Sequence, residues 1–372
     1  MENGDGMKIL QTPPRILSSG GVERYVADLS GELIKRGHQV QILCSRSRSD
    51  VLPRSILPVR ILTPLGLIGN TPITPSLPCH LLCEDFDILH THTPTPWSSD
   101  WSRIIAGLKG RPLVLTYHSA ITGEGSAAMI ARFYNRTALK HLFRSADRII
   151  LARPGYIPLP LRNFQDRIEY IPVGVDTSQF YPEKTGFSTD VFFLSVLDAF
   201  HGFKGLDTLL EAIKRVKKEI PTIRLVIGGG GSQIPYYARQ ADSMDLGANV
   251  RFTGYIPQER LKDYFTGSRL FVLPSRAPEL ETFGIVLLEA MACGRPVVTT
   301  KIAGMAEDII RSSSGIIVEP DSPGELATAI LSILKDEYAA EKMGENGLHL
   351  IREKYLWPTI AARMEQLYKD IQ

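Results

Sequence analysis

The sequence predicts an α/β protein of two doubly wound, parallel-sheet domains. Its 372 residues exceed one ordinary core and suit two domains of roughly 150–200 residues each. Short apolar runs alternate with helical periodicity, which is the order of parallel βαβ units. The alternation breaks near residues 173–188, where Gly174, Pro182, Gly186 and Ser188 make the best candidate linker, and then restarts.

In the first half, Lys8-Ile9-Leu10-Gln11 reads as a short buried strand, followed by a loop with Pro13, Pro14, Gly20 and Gly21. Val22, Val26, Leu29, Leu33 and Ile34 then mark one face of a helix that Gly37 stops. Gln39–Leu43 is the next strand. Six prolines between residues 45 and 80 predict loops and broken segments there. Phe86–His90 is a strand running into the loop Thr91-His92-Thr93-Pro94. Leu113–His118 is another, with a histidine at its C-terminal edge. A helix through Arg132, Arg136, Lys140 and Arg144 follows, and Arg148–Leu151 and Ile168–Pro172 close this half. In the second half, Val191–Leu197 and Ile223–Ile227 are strands flanking a helix from Leu206 to Lys217, and four glycines follow Ile227. Val250–Phe252, Leu270–Leu273 and Pro296–Thr299 are further strands. Ligands of such sheets bind at the C-terminal strand ends, and two facing domains would enclose a cleft.

Composition narrows the function. No segment approaches the roughly 20 apolar residues of a membrane-spanning helix. Residues 1–6 are polar without a basic flank, so no signal peptide is expected. Cys44, Cys79, Cys83 and Cys293 lack zinc-site spacing and read as buried or free thiols in a reducing cytoplasm. The net charge of +2 gives no basis for nucleic-acid binding, but it is uneven. Between Trp101 and Arg153 nine basic residues face only Glu124 and Asp147. Within residues 127–144, Ile130, Phe133, Tyr134, Ala138, Leu139, Leu142 and Phe143 interleave with four basic residues. This suits peripheral attachment to the anionic inner face of a membrane, and equally a core helix with its basic residues outward.

The densest signal runs from Pro274-Ser275 to Val298. A strand ends in a loop holding Glu281, and a helix starts near Gly284. Exposed backbone N–H groups at such a helix start form an anion site. Glu289 falls in the second turn among Leu287, Leu288, Ala290 and Met291. A carboxylate in that apolar run needs donors, and ribose hydroxyls supply them.

This stretch resembles the E-x7-E motif of glycosyltransferase family 4, retaining enzymes of the GT-B fold. Further matches fall in order: Ser19–Glu23 with Arg36-Gly37-His38, Asp87–His92, Thr116–His118, Ala146–Ile150, Ile171–Asp176, and Lys204-Gly205 with the glycines after Ile227. Only residues 45–80 fall outside the resemblance. It implies two Rossmann-like domains facing a central cleft: an acceptor-binding domain over residues 1–182 and a nucleotide-sugar domain over 183–356. A C-terminal helix at 357–372 would pack back on the first domain.

It also implies roles. Glu289 would bind the donor ribose, and Glu281 the hydroxyls of the transferred sugar. The backbone from Phe283 through Val286 would hold the diphosphate, with Gly20, Gly21 and Gly229 allowing its approach. Lys204 would neutralise the leaving diphosphate, where a fixed cation lowers the barrier most. His118 would lie beside the reacting sugar, although a strand-end histidine is also commonly structural. His90 and His92 are weaker candidates. No metal and no bound cofactor are implied, the nucleotide sugar being a substrate and a glycan or lipid-linked molecule its acceptor.

Two departures stand out. Val196 occupies the place near which the family carries an arginine, so His201 or Arg276 would have to supply that charge, and Val173 replaces the usual Asn. Glu281 and Glu289 bracket a phosphate site and so differ from a hydrolase pair flanking one bond. Three rival readings remain. A nicotinamide-dependent dehydrogenase fits the four glycines, but Val250–Gly254 offers no acidic residue at its end. A sugar-nucleotide epimerase would share the architecture and the donor but need no acceptor. A silent binding module would show no turnover.

Overall fold

The structure, a computed structural model, describes all residues except 1–5, 14–20, 47–56, 69–70, 120, 122–125, 155, 184–185, 279 and 282, together with the side chains of 126 and 127. Two compact units emerge: Met1–Val173 with Trp357–Gln372, and Gly174–Leu356.

The strands of the first unit are β1 (Lys8–Thr12), β2 (Gln39–Ser45), β3 (Val59–Leu62), β4 (Gly66–Ile68), β5 (Thr71–Ile73), β6 (Ile88–Thr93), β7 (Leu113–Tyr117), β8 (Arg148–Leu151) and β9 (Ile168–Tyr170). Its helices are α1 (Gly21–Lys35), α2 (Leu77–Cys83), α3 (Pro96–Lys109), α4 (Ser126–Arg136) and α5 (Ala138–Ser145). Seven strands form one parallel sheet in the order β3-β2-β1-β6-β7-β8-β9, while β4 and β5 make a separate antiparallel hairpin. The strand order reverses between β1 and β6. Helices on both faces leave the central strands without a solvent side, so β6 and β7 are buried at every position.

Several boundaries differ from those the sequence suggests. β6 continues to Thr93, so Thr91, His92 and Thr93 sit inside the strand and not in the loop expected after His90. In α1, Tyr25 and Ser30 join Val26, Leu29 and Leu33 on the buried face, whereas Ile34 is exposed. The proline-rich 45–80 region contains β3, the β4–β5 hairpin and α2, whose Pro78 is tolerated in the first helical turn. The single helix expected across 127–144 is two, because Thr137 leaves helical geometry (φ −121°, ψ −83°). Leu139, Leu142 and Phe143 of α5 turn into the core.

The second unit comprises β10 (Thr189–Leu194), β11 (Leu225–Gly228), β12 (Val250–Gly254), β13 (Ser268–Leu273), β14 (Val297–Thr300) and β15 (Gly315–Val318). Its helices are α6 (Leu206–Val216), α7 (Ile234–Ser243), α8 (Gln258–Thr266), α9 (Ile285–Ala292), α10 (Ala306–Ser312), α11 (Pro323–Lys335) and α12 (Glu337–Lys354). The parallel order is β12-β11-β10-β13-β14-β15, reversing between β10 and β13. Residues 174–182, assigned to the first half on sequence, pack with this second unit. The Val175 N–H donates to Tyr355 O, Gln179 bonds Gln258, and Phe180 packs edge-on against Phe265. Asp336 caps α12 by accepting from Ala339 N at 2.9 Å.

The last helix, α13 (Trp357–Lys369), packs against α1 of the first unit and buries Trp357, Ile360, Ala361, Met364, Leu367 and Tyr368. Glu365 on it pairs with Arg36 and Lys369, which hold its carboxyl down to about 2.

Candidate active site

In doubly wound sheets the crevice lies where strand order reverses, because the chain leaves the two central strands in opposite directions. In the second unit this point falls between β10 and β13. The segment after β10 is a short 3-10 turn, Phe200–Lys204, closed by Gly205 in left-handed geometry (φ 77°). The segment after β13 runs Pro274-Ser275-Arg276 towards Glu281. The two meet: the Lys204 ammonium lies 2.7 Å from Glu281 Oε2.

Glu281 is buried, and its carboxylate is compensated locally. The Ser275 hydroxyl donates to the same oxygen at 2.5 Å, and the Thr300 hydroxyl at the end of β14 donates to Ser275 O. The Glu281 N–H donates to Ala277 O. The turn holding Lys204 is tied across by the Arg276 N–H, which donates to Phe203 O at 2.9 Å. A Cβ on Gly205 would stand 2.2 Å from Pro274 O, so glycine alone lets these segments approach.

Helix α9 follows directly. Gly284 is its N-cap in left-handed geometry (φ 89°), and Ile285 and Val286 open the first turn. Their N–H groups have no carbonyl one turn back within the helix. Leu, Ala, Met and Glu favour helix here, and six of the eight residues are buried. Glu289 is one of them, fully enclosed in the second turn. Phe283 is buried edge-on against Tyr355, and its carbonyl accepts from Gly304 N. Thr282 and Gly20 lie outside the described residues. Gly21 is the first residue of α1 and is exposed.

Gly229 follows β11 with φ 119°. A Cβ there would fall 1.7 Å from Ser195 O, so the glycine serves the close approach of the two chain segments whatever else it contacts. The Ser195 N–H donates to Gly228 O and the Leu197 N–H to Gly230 O, knitting the glycine run to the stretch around Val196. Neither cation considered as a substitute at Val196 stands by itself. His201 bonds Asp198 through Nδ1 at 2.7 Å, and Arg276 pairs with Asp207 at 2.9 Å and Asp321 at 3.3 Å.

In the first unit the reversal falls between β1 and β6, and a second polar cluster lies there. His90 and His92 are fully buried on β6, and His118 directly follows β7. The three rings stack in sequence, with centroids 4.5 Å and 5.5 Å apart. His92 Nε2 meets Gln11 Oε1 of β1 at 2.8 Å, and His92 Nδ1 meets His118 Nε2 at 3.3 Å. His90 contacts the Tyr368 hydroxyl of α13 at 2.6 Å and Thr116 Oγ1 at 2.7 Å. Burial disfavours the imidazolium, pushing His90 down to about 3, His118 to about 4 and His92 well below its ordinary value. Among the described residues no cluster of His, Cys, Asp and Glu is arranged to hold a metal ion.

Of the residues singled out in the sequence, Lys204, Glu281, Phe283, Gly284, Ile285, Val286, Glu289 and Gly229 lie in the second unit and His118 and Gly21 in the first. The sequence did not single out Ser275, Thr300, Gln11, Tyr25 or Tyr368. Their common signal is a polar residue at a strand end or on a buried helix face. A cavity of about 660 Å³ in the second unit opens elsewhere, at the N-terminal ends of β13 and β14 beside Arg269, Arg295 and α12.

With this geometry in hand, two family matches divide the chain. Residues 19–179 match the family described as Glycosyltransferase Family 4, and residues 177–349 the family described as Glycosyl transferases group 1. A GDP-mannose-dependent alpha-(1-6)-phosphatidylinositol monomannoside mannosyltransferase of Mycolicibacterium smegmatis is 31% identical over 213 residues. That alignment spans 54% of this chain and only 56% of the relative. A phosphatidyl-myo-inositol mannosyltransferase of Mycobacterium leprae is 25% identical over 95% of this chain and 93% of its own length. Among solved structures, Anabaena HepE in complex with UDP and glucose aligns with a TM-score of 0.79 at 20% identity, covering 98% of this chain and all of that one. This last likeness is one of fold.

Proposed function

Because the chain belongs to the family 4 glycosyltransferases, with the GT-B fold, we propose that it is a retaining hexosyltransferase using a nucleotide diphosphate sugar. The donor is a GDP- or UDP-sugar, with GDP-mannose favoured by the names of the relatives, and the acceptor is a glycan or lipid-linked molecule, for which an inositol-bearing lipid has the same support.

The observation that carries this reading is the Lys204–Glu281 pair at the β10/β13 switch point, one short segment from the start of α9. The diphosphate would take the N–H groups of α9's first turn, with Lys204 as counter-charge when the glycosidic bond breaks. Glu281, held by Lys204 and Ser275, would face the sugar hydroxyls, and Glu289 the ribose. Both carboxylates are committed in this way, which leaves no hydrolase-like acid and base across one bond. The departing diphosphate would instead take the acceptor's proton on the same face of the sugar.

The acceptor side has its own support. Met129, Ile130 and Phe133 on α4 are 70%, 57% and 70% exposed, and Arg132 and Arg136 on the same helix and Lys140 and Arg144 on α5 are also exposed. Leu65, Leu67 and Ile68 at the β4–β5 hairpin are exposed as well. No helix among the described residues is long and apolar enough to cross a membrane. The apolar side chains and flanking cations suit shallow insertion at an anionic lipid surface, where a lipid-linked acceptor would reside.

Thermal shift against GDP, UDP, GDP-mannose and UDP-glucose tests the donor assignment. A shift with one nucleotide family, lost in Glu289→Ala and Lys204→Ala, supports it. Full shifts retained in both variants would overturn the site.

A further inference from the structure

The geometry points to Gln11 and His92 as positioning residues that set the tautomer of His118, protonated on Nε2 and presenting Nδ1 as a hydrogen-bond acceptor.

The derivation follows the protons. A carboxamide oxygen can only accept, so Gln11 Oε1 at 2.8 Å requires a proton on His92 Nε2. His92 is fully buried among His90, His118 and Tyr25, with no carboxylate among its ring contacts and hydrogen bonds among the described residues, so it holds a single ring proton. Its Nδ1 is then a lone pair, and His118 Nε2 at 3.3 Å must donate to it. A neutral His118 that donates from Nε2 has only Nδ1 left as an acceptor. Each ring nitrogen along this path has one assigned role.

Packing holds the rings in these positions. His90 stacks on His92 with planes 29° apart, and His92 on His118 with planes 24° apart. Tyr25 of α1 stands edge-on to both His92 and His118, and Trp357 of α13 edge-on to Tyr25. Tyr368 of α13 anchors His90. The path crosses the β1/β6 switch point, the place where this sheet would admit a ligand. The consequence is chemical: His118 would receive a hydrogen bond from a substrate hydroxyl and could not donate one from Nδ1.

The role of His118 toward substrate rests on the transferase reading above, whereas its tautomer does not and can be measured without turnover. Long-range proton–nitrogen spectra of the full chain labelled with 15N-histidine, assigned through His92→Asn and His118→Asn, should show both rings as Nε2–H tautomers at neutral pH. Finding His118 protonated on Nδ1 in the unaltered protein would overturn the inference outright. Gln11→Met removes the acceptor at similar volume and should convert His118 to a tautomer mixture. With donor and acceptor present, Gln11→Met should lower kcat about tenfold with donor KM changed less than twofold. An unchanged His118 spectrum in Gln11→Met would also overturn the proposal.

Discussion

Lys204 and Glu281, 77 residues apart in sequence, form an ion pair of 2.7 Å across the strand-order reversal of the second unit. Glu281 is nearly inaccessible and Lys204 retains 19% of its side-chain exposure, so water screens the pair only in part. Ser275 supplies the second donor that a buried carboxylate needs.

Breaking this pair from either side should cost stability because the remaining charge loses its partner. Lys204→Met leaves Glu281 with Ser275 alone and should destabilise by about 2–3 kcal/mol. Combined with Glu281→Gln, the two losses should couple by about 1–2 kcal/mol in a double-mutant cycle. Urea unfolding of the four proteins measures this. Strict additivity would mean that the pair contributes nothing specific.

The glycine run after β11 gives a sharper contrast. Gly229→Ala would place a methyl group 1.7 Å from Ser195 O at φ 119°, and should destabilise by at least about 2 kcal/mol. Gly230→Ala meets nothing nearer than 3.5 Å and should stay within about 1 kcal/mol of the unaltered protein. Equal effects from the two substitutions would contradict the close approach of these strands.

Stability should fall on mild acidification. His90 and His92 have folded pKa values depressed by burial, so between their unfolded value near 6.5 and the folded ones the unfolded chain binds more protons. Their contribution is complete above about pH 6.5 and declines below it, by roughly 2 kcal/mol at pH 5 for His90. His38, also depressed, acts in the same direction. The urea midpoint measured from pH 7.5 to 5 should drop, and the drop should be shallower in His90→Gln. A slope unchanged by that substitution would assign the acid sensitivity to other groups.

Lipid binding should depend on α4 more than on α5, whose apolar side chains are inside the core. Phe133→Ser removes an exposed ring and should reduce partitioning to phosphatidylglycerol-containing vesicles about tenfold or more. Leu142→Ser on α5 should instead lower stability. Flotation at low and high salt separates the cationic contribution, and absence of binding by the unaltered chain would end the membrane reading.

Local sequence determined which residues form the elements and marked the run proposed to hold the donor. Strand and helix periods differ, glycine and proline punctuate them, and the run from Glu281 to Glu289 is contiguous enough to show a loop, a helix start and a carboxylate in an apolar turn. Boundaries were less legible where tertiary contact decided them. β6 extends through His92 to Thr93 because β7 pairs with it there, beyond Thr91 where the pairing with β1 ends. Residues 174–182 join the second unit through contacts with Tyr355, Gln258 and Phe265, far along the chain. Only the tertiary structure brought Gln11, His92 and His118 into one hydrogen-bonded path, and Ser275 and Thr300 beneath Glu281. These residues come from strands that are neighbours in the sheet but distant in sequence, and a polar side chain at a strand end carries no mark of its partner until the strands pair.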